Sequence, residues 1–242
     1  MNEARSPLPR PGRSLPGLFR WPSALTPRIV FEDVHLAVLS KPSGLLSQGG
    51  DGSGPDLVTW LRGHFGRHYV GLIHRLDRNV SGLMVVAKRS KAAARLTAAL
   101  QAGTLERRYQ AWIEGHLARE ATWRHALLKH EESNKAEVVP PSTPFSKMAV
   151  LSVRPVRFAG SKARPLTLAE FRLETGRSHQ IRVQSAHEGF PVLGDPKYGR
   201  RRMNMKSGAP IALHSSFLRF PHPMSGAFLE FLEPIEDLSA GA

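Results

Sequence analysis

The sequence contains no cysteine, and this absence excludes disulfide bonds, a thiol nucleophile and every metal site with thiolate ligands. It also lacks an apolar run of the roughly 18 residues that a transmembrane helix needs. Acidic residues are scarce, with 20 against 34 lysines and arginines, so the formal net charge is +14. Such an excess is typical of proteins that bind nucleic acid or an anionic membrane surface, although a compositional bias toward arginine produces the same charge. We expect a nucleic-acid partner and no membrane.

The first 28 residues differ from the rest of the 242-residue chain. They contain six of its 19 prolines, at positions 7, 9, 11, 16, 22 and 27. Prolines at this density prevent both a helix and a sheet ladder. We predict a disordered arm rich in proline and arginine over residues 1–28 and a globular domain over residues 29–242. The arm is either an inert tail or a basic contact for nucleic acid.

Hydrophobic patterning predicts short strands and helices over the globular part of the chain. Strands are indicated over residues 36–39, 82–87, 109–115 and 166–174, and helices over residues 90–103 and 178–188. A further helix is predicted to begin after Asp56 and to stop near Gly66, because these residue types favour helix caps. Strands and helices do not alternate regularly, so we predict an α+β fold with a mixed sheet.

One carboxylate, Asp77, lies among basic residues in the segment His-Arg-Leu-Asp-Arg-Asn-Val-Ser-Gly at positions 74–82. Neighbouring arginines favour the ionised form of a carboxyl group, which is the form that a nucleophile or general base requires. A loop aspartate that only caps a turn is the alternative. The order His-Arg-Leu-Asp differs from the His-Arg-Asp of a protein-kinase catalytic loop, and the other kinase motifs are missing from the sequence.

A second polar cluster, Thr-Gly-Arg-Ser-His-Gln-Ile-Arg at positions 175–182, opens the helix predicted over residues 178–188. Backbone amides at a helix N-terminus attract anions, and arginines reinforce the attraction. The cluster therefore predicts a site that binds phosphate and orients a carboxylate, with a solvated helix start as the alternative. The 11 histidines form no His-Glu-x-x-His motif, and we predict no metal site.

Tyr109 follows Arg107 and Arg108 directly. An aromatic ring beside two cations can stack on a base while the cations hold phosphates. The commoner alternative is a half-buried strand tyrosine whose hydroxyl meets water.

Taken together, these segments resemble the RluA-type pseudouridine synthase family over about residues 30–234. The matching motifs occur in the family's order: Lys41-Pro42-Ser43-Gly44-Leu45, His74-Arg75-Leu76-Asp77, Ser81-Gly82-Leu83, Arg107-Arg108-Tyr109, residues 175–182, Gly194-Asp195-Pro196-Lys197-Tyr198-Gly199 and Leu213-His214 with Phe220, His222 and Pro223. The sequence departs from the usual pattern at Val80, where threonine is common, and at Arg107, where lysine is common. The resemblance implies a largely antiparallel central sheet flanked by helices, with a central active-site cleft.

The resemblance also implies an activity, the isomerisation of uridine to pseudouridine in ribosomal or transfer RNA without a cofactor or a metal. Asp77 is then the essential carboxylate, which either attacks the sugar or removes a sugar proton. Arg182 pairs with Asp77, and Tyr109 stacks on the uracil. Residues expected to contact RNA are His74, Arg75, Arg107, Arg177, His179, Gln180 and Ile181.

Two other classes of function remain at this point. One is a catalytically silent RNA-binding factor with the same fold, and the other is a metal-dependent hydrolase. In the cell we expect a cytoplasmic monomer whose partner is RNA.

Overall fold

The computed structural model describes residues 23–49, 54–66, 69–199 and 210–235. Within them, the strands are β1 (Arg28–Glu32), β2 (Leu36–Lys41), β3 (Gly71–Leu72), β4 (Ser81–Ala87), β5 (Glu106–Glu114), β6 (Ala121–His130), β7 (Lys135–Val139), β8 (Lys147–Ser161), β9 (Arg164–Leu173), β10 (Leu213–Pro221) and β11 (Phe228–Leu232). The helices are α1 (Leu57–Phe65), α2 (Ser90–Gln101) and α3 (Gln180–His187).

All the described strands join one sheet, in the order β1-β2-β4-β10-β5-β9-β8-β6-β7, with β3 beside β4 and β11 beside β10. Among the described strand pairs, only β4 and β10 are parallel. The mixed, largely antiparallel sheet confirms the predicted α+β class. The parallel pair is flanked by β2 on one side and by β5 on the other, so the loop that enters β4 does not lie at an edge of the sheet.

Helices cover both faces of the sheet near its centre. One core cluster joins α1 and α3 to inward-facing residues such as Leu39, Met84 and Phe171. On the other face, α2 packs against Leu36 and Val85 with the rest of a second cluster. Strands β2 and β4 are buried on both faces, which explains why they read as continuous apolar runs in the sequence.

The structure confirms the two predicted caps of α1, Asp56 and Gly66. The side chain of Asp56 accepts a hydrogen bond from the Thr59 N–H at 3.0 Å, and α1 ends at Gly66 in the left-handed conformation, with φ 59°. α2 lies within the predicted range 90–103. These elements depend on neighbouring residues, so the sequence signals were sufficient.

The strands between residues 121 and 161 were not predicted from the sequence. β8 is the longest of them, and it continues through Pro155, a residue that argues against a strand. A register shift between Pro155 and Arg157 accommodates the missing N–H donor. The far half of β8 is also exposed, so it lacks the alternation by which strands are recognised.

Two predicted boundaries need correction. A short 3₁₀ helix spans Ser23–Leu25, Leu25 packs against the core, and β1 begins at Arg28, so residues 23–28 belong to the fold and not to a disordered arm. The rest of that arm, residues 1–22, lies outside the described residues. The last predicted helix begins at Gln180, two residues later than predicted, after His179 with φ 53°. No helix in the described ranges is long and apolar enough to span a membrane.

Candidate active site

Asp77 lies in the loop before β4, with 28% of its side chain exposed. Its Oδ2 accepts a hydrogen bond from Nη1 of Arg182 at 2.7 Å. Within the described ranges, Oδ1 has no hydrogen-bond partner. One carboxylate oxygen is therefore fixed by a cation, while the other remains available to a ligand.

Arg182 bridges two carboxylates with different surroundings. Its Nε and Nη2 donate to Oδ2 and Oδ1 of Asp195 at 2.7 and 2.8 Å, which leaves Nη1 for Asp77. The side chain of Asp195 is fully buried, and that of Arg182 is 4% exposed. The backbone N–H groups of Lys197 and Tyr198 also donate to Asp195. The bidentate pair fixes the plane of the guanidinium group and hence the direction of Nη1.

The protonation of this pair follows from opposing effects. Burial works against charge on Arg182, but hydrogen bonds and charge from Asp195, and then from Asp77, outweigh it and raise the pKa of Arg182. Burial likewise works against charge on Asp195, but Arg182 and the two backbone N–H groups lower its pKa. Both groups are therefore ionised at neutral pH, and Arg182 is a permanent cation beside Asp77.

The turn after β2 binds the loop that carries Asp77. The Ser47 hydroxyl donates to the carbonyl of Leu76 at 2.6 Å and accepts from its N–H at 3.1 Å. The Ser43 hydroxyl donates to the carbonyl of Asn79 at 2.8 Å. These bonds hold the loop on both sides of Asp77, so the carboxylate is presented by a fixed backbone.

Lys41 completes this support from within the core. The residue is fully buried, and its Nζ donates to the carbonyls of Pro42, Leu45 and Arg78 at 2.9, 2.8 and 3.3 Å. Burial lowers the pKa of Lys41 to about 7, although the charge of Asp77 acts in the opposite direction. No local signal in the sequence marks this lysine as buried, so its role could not be predicted from the sequence.

The register of three strands places Tyr109 across from the Asp77 loop. Ser215 of β10 pairs with Gly82 of β4 on one side and with Tyr109 of β5 on the other. A Cβ on Gly82 would lie 2.4 Å from the carbonyl oxygen of Ser215, so only glycine fits this crossing. Tyr109 is 5% exposed and belongs to the core cluster that also contains Ile181.

Electrostatic coupling connects Tyr109 to the rest of the site. Burial raises the pKa of Tyr109, the charge of Arg107 opposes that shift, and the charge of Asp77 adds to it. The guanidinium group of Arg107 extends to Gly176, whose Cβ position lies 3.3 Å from Nη2. The structure thus brings together Asp77, Tyr109 and Arg182, the three residues that the resemblance implied to be catalytic.

His179 lies at the inner side of Asp77. Its Nε2 is 3.8 Å from Oδ2 of Asp77, and its Nδ1 is 2.8 Å from the hydroxyl of Tyr198. That hydroxyl also accepts a hydrogen bond from the N–H of Ala136 at 2.8 Å, so its own proton is available to Nδ1. Burial lowers the pKa of His179 to about 4, against the opposing charge of Asp77, and the imidazole is neutral at pH 7.

The remaining residues predicted to contact RNA divide into exposed and buried groups. Arg75 and Arg177 are exposed, and Nε of Arg177 donates to the carbonyl of Met148 at 3.0 Å. Ile181 is 4% exposed and borders the core beside Arg182.

His74 and Gln180 were predicted to contact RNA, but the structure buries both side chains. His74 is 7% exposed, its Nε2 accepts from the Val85 N–H at 3.3 Å, and burial followed by the charge of Arg107 lowers its pKa to about 3. Gln180 is 3% exposed, and its side chain accepts from the Arg177 N–H and donates to the carbonyl of Val150. Nε2 of His74 and the side-chain amide of Gln180 form hydrogen bonds inside the protein that hold the loops preceding Asp77 and Arg182. Nδ1 of His74 is buried without a hydrogen-bond partner among the described residues.

Asp195 and Tyr198 are functional-site residues for which no role was predicted, although both lie in residues 194–199, one of the motifs that carry the resemblance. Their contacts to Arg182 and His179 join residues 13 and 19 positions apart. The departure at Val80 lies in the core, where the residue is 2% exposed, so the absent threonine hydroxyl removes no visible support from the Asp77 loop. In the part of the chain that the structure describes, no three histidine, aspartate or glutamate residues are close enough to hold a metal.

Comparison with known proteins places this site in a family. A family model described as RNA pseudouridylate synthase matches residues 35–187. Ribosomal large subunit pseudouridine synthase D of Zymomonas mobilis is 33% identical over 240 residues, which cover 93% of this chain and 72% of that protein. Ribosomal large subunit pseudouridine synthase C of Vibrio cholerae is 34% identical over 215 residues, which cover 86% of this chain and 65% of that protein.

A solved structure shows the same fold. Human RNA pseudouridylate synthase domain containing 1 superposes with a TM-score of 0.75 at 22% identity, and the match covers 92% of this chain and 89% of that one. The matched family region contains Asp77, Tyr109 and Arg182. The chain therefore belongs to the RNA pseudouridylate synthase family, a family of isomerases that act on RNA.

Proposed function

We propose that this chain isomerises uridine to pseudouridine in large-subunit ribosomal RNA, with Asp77 as the carboxylate that reacts with the target nucleotide. The observation that carries the proposal is the geometry of Asp77, one oxygen of which is held by Arg182 while the other has no hydrogen-bond partner among the residues that the structure describes. The printed names of the relatives support ribosomal RNA over transfer RNA. The chain spans 72% and 65% of those relatives, so the RNA target is part of the proposal.

The reaction requires a bond exchange at one sugar carbon. The bond from N1 of uracil to C1′ breaks, the base turns, C5 bonds to C1′, and the proton on C5 is lost while N1 regains one. A carboxylate assists either by attacking C1′ or by removing a proton from the sugar, and both roles use an oxygen that faces the ligand. Asp77 Oδ1 is the oxygen with that freedom.

Arg182 and Asp195 keep the reacting carboxylate in place. Nη1 of Arg182 holds Oδ2 of Asp77, and the bidentate contact with Asp195 prevents the guanidinium group from rotating toward the ligand. A preorganised charge stabilises developing charge without reorganisation during the reaction. Arg182 acts on Asp77, whereas Asp195 acts only through Arg182 and is a positioning residue.

Tyr109 and Ile181 supply the apolar side of the site. The Tyr109 ring is proposed to stack on the uracil, and Ile181 to line the wall beside it, because both belong to the core cluster bordering Asp77. A base within a helix must leave its stack before its sugar is accessible, at a cost of a few kcal/mol. The exposed Arg75, two residues from Asp77, is placed to fill the vacated space.

Basic residues around the site offset that cost through contacts with phosphates. Arg107 lies against Gly176, and Arg177 is exposed beside it. We expect affinity for RNA to fall steeply with salt, because each neutralised phosphate releases counterions.

A cytoplasmic location is supported by the bacterial relatives that modify ribosomal RNA.

The proposal is tested with Asp77→Asn, which keeps the size of the side chain and removes its charge. We expect conversion of uridine to fall by about 10⁴-fold, the upper end of the range for loss of a group that acts by proton transfer. RNA affinity is expected to stay within about threefold, because the phosphate contacts that dominate affinity remain. The matched control is Glu131→Gln, the same chemical change at a hairpin position whose side chain is 79% exposed. Conversion at a normal rate by Asp77→Asn contradicts the assignment.

The RNA target is tested by mapping pseudouridine in total RNA from cells with and without the gene. We expect the missing sites to lie in large-subunit ribosomal RNA and to return when the purified protein is added to that RNA. Loss of sites from transfer RNA alone would contradict the ribosomal target and leave the isomerase activity intact. RNA binding without any conversion would identify a silent binding factor.

A further inference from the structure

Phe145 is the most exposed large apolar side chain of the described residues, at 92%. It lies between β7 and β8 and adopts the left-handed backbone conformation, with φ 63°. A bulky residue with a side chain disfavours that conformation, and glycine would fit it without strain. The chain therefore presents a ring to solvent where both burial and backbone preference argue against one, and such positions commonly carry function.

The segment around Phe145 has a restricted backbone. Pro140, Pro141 and Pro144 restrict the backbone of the loop. Two successive turns close it, through hydrogen bonds from the Thr143 N–H to the Pro140 carbonyl at 2.9 Å and from the Ser146 N–H to the Thr143 carbonyl at 3.2 Å. A rigid ring loses little conformational entropy when it binds a flat partner.

A line of arginines connects this loop to the active site. Nη2 of Arg107, whose charge acts on Tyr109, would be 3.3 Å from a Cβ added at Gly176, and the neighbouring Arg177 donates to the carbonyl of Met148 at 3.0 Å. Met148 is three residues from Phe145, so the two Cα atoms are at most about 11 Å apart. Phe145 is therefore close in the chain to the carbonyl that Arg177 contacts, and Arg177 is two residues from His179, whose Nε2 is 3.8 Å from Asp77.

The charge of this surface identifies the partner. Lys147 and Arg177 are exposed near the ring, and no carboxylate within the described ranges forms an ion pair with either of them. Unpaired cations beside an exposed ring match a nucleotide, with phosphates on the cations and a base on the ring. A protein partner needs about 800 Å² from each side, whereas the exposed apolar residues here are one phenylalanine and the half-exposed Met148.

We propose that Phe145 stacks on an unpaired base of the substrate RNA outside the catalytic pocket, while Lys147 and Arg177 contact the adjoining phosphates. This contact adds a second anchoring point to the proposed function and rests on it. A base held at this distance fixes the register of the RNA, so that one uridine among several reaches Asp77. The stacking contributes to affinity and to the choice of site, and it takes no part in the bond exchange.

The experiment is a single-turnover titration of in-vitro transcribed large-subunit ribosomal RNA with the full chain and its Phe145→Ala and Phe145→Trp variants. For Phe145→Ala we expect the Kd to rise about tenfold, within the range for loss of one base–aromatic stack, while the rate at saturating enzyme stays within about twofold. Phe145→Trp keeps a ring and is expected to keep the original Kd. The slope of log Kd against log salt is expected to stay unchanged in Phe145→Ala and to decrease in Arg177→Ala, which removes a phosphate contact.

Phe228→Ala is the matched control, because Phe228 is also exposed, at 54%, and has the Arg219 guanidinium 4.5 Å from its ring centroid on the distant strand β11. An unchanged Kd in Phe145→Ala, or an equal rise in Phe228→Ala, overturns the proposal. So does a Phe145→Ala effect on self-association in sedimentation without an effect on RNA affinity, which would indicate a protein partner. If the unmodified chain binds this RNA but converts no uridine, the proposed function fails, and the two Kd comparisons still test the stacking contact.

Discussion

Asp77 and Asp195 share one guanidinium group but differ in what surrounds them. Asp195 is fully buried, and its oxygens are occupied by Arg182 and by two backbone N–H groups. Asp77 is partly exposed and uses one oxygen on Arg182. Of these two residues of the same type, only Asp77 has, among the described residues, a carboxylate oxygen without a hydrogen-bond partner at a surface. We call the partly exposed Asp77 the front of the site, and the buried residues Asp195, Lys41 and His74 its support.

The largest expected effect follows from removing the guanidinium group of Arg182, which joins Asp77 of the front to Asp195 of the support. Arg182→Met leaves the Asp195 carboxylate buried without a countercharge, so the free energy of unfolding is expected to fall by about 3–5 kcal/mol, together with loss of activity. Chemical denaturation and a uridine-conversion assay measure the two effects.

The double variant Arg182→Met with Asp195→Leu sharpens the distinction. Replacing a buried ion pair by apolar residues is often neutral for stability, so we expect most of the lost stability to return. Activity is expected to stay absent, because Asp77 still lacks its partner. Recovery of activity in the double variant would show that Arg182 serves only to neutralise Asp195.

Asp195→Asn tests the support while leaving Arg182 in place. The amide oxygen can accept one of the two guanidinium hydrogen bonds but not both, so Nη1 loses its fixed direction toward Asp77. We expect kcat to fall about 30-fold, less than the roughly 10²–10³-fold for loss of a preorganised contact to the reacting group itself, because Asp195 acts only through Arg182. KM for RNA is expected to stay within about twofold, because Asp195 does not reach the surface. A rise in KM with unchanged kcat would place Asp195 among the binding residues instead.

The sequence predicted those features that depend on neighbouring residues. The cap at Asp56 and the buried run of β4 are local signals, and the structure contains both elements. The importance of Asp77, Tyr109 and Arg182 came from the resemblance, and the structure brings them into one site.

What escaped prediction depends on contacts between distant parts of the chain. Gln180 was predicted to contact RNA at the surface, yet its side chain is buried and donates a hydrogen bond to the carbonyl of Val150, 30 positions away. Lys41 and Asp195 are charged residues in the core, and no periodicity marks a charge that will be buried. β8 was missed because a bulge after Pro155 compensates for a residue that ordinarily ends a strand.

His74 offers the smallest test of the division between front and support. Its pKa is lowered to about 3 from an ordinary value of 6.5, mainly by burial. Between pH 6.5 and pH 3, His74 is therefore protonated in the unfolded chain and neutral in the folded chain. Stability from this histidine is therefore complete above pH 6.5 and declines by about 1.4 kcal/mol for each pH unit below it.

His74→Gln keeps an acceptor for the Val85 N–H and removes the titration. Denaturation at pH 6.5 and pH 5 is expected to show a loss about 2 kcal/mol smaller in His74→Gln than in the unmodified chain, since all other titrating groups are shared. Equal losses would mean that His74 accepts a proton in the folded protein, which would assign it to the accessible front beside Asp77 rather than to the buried support.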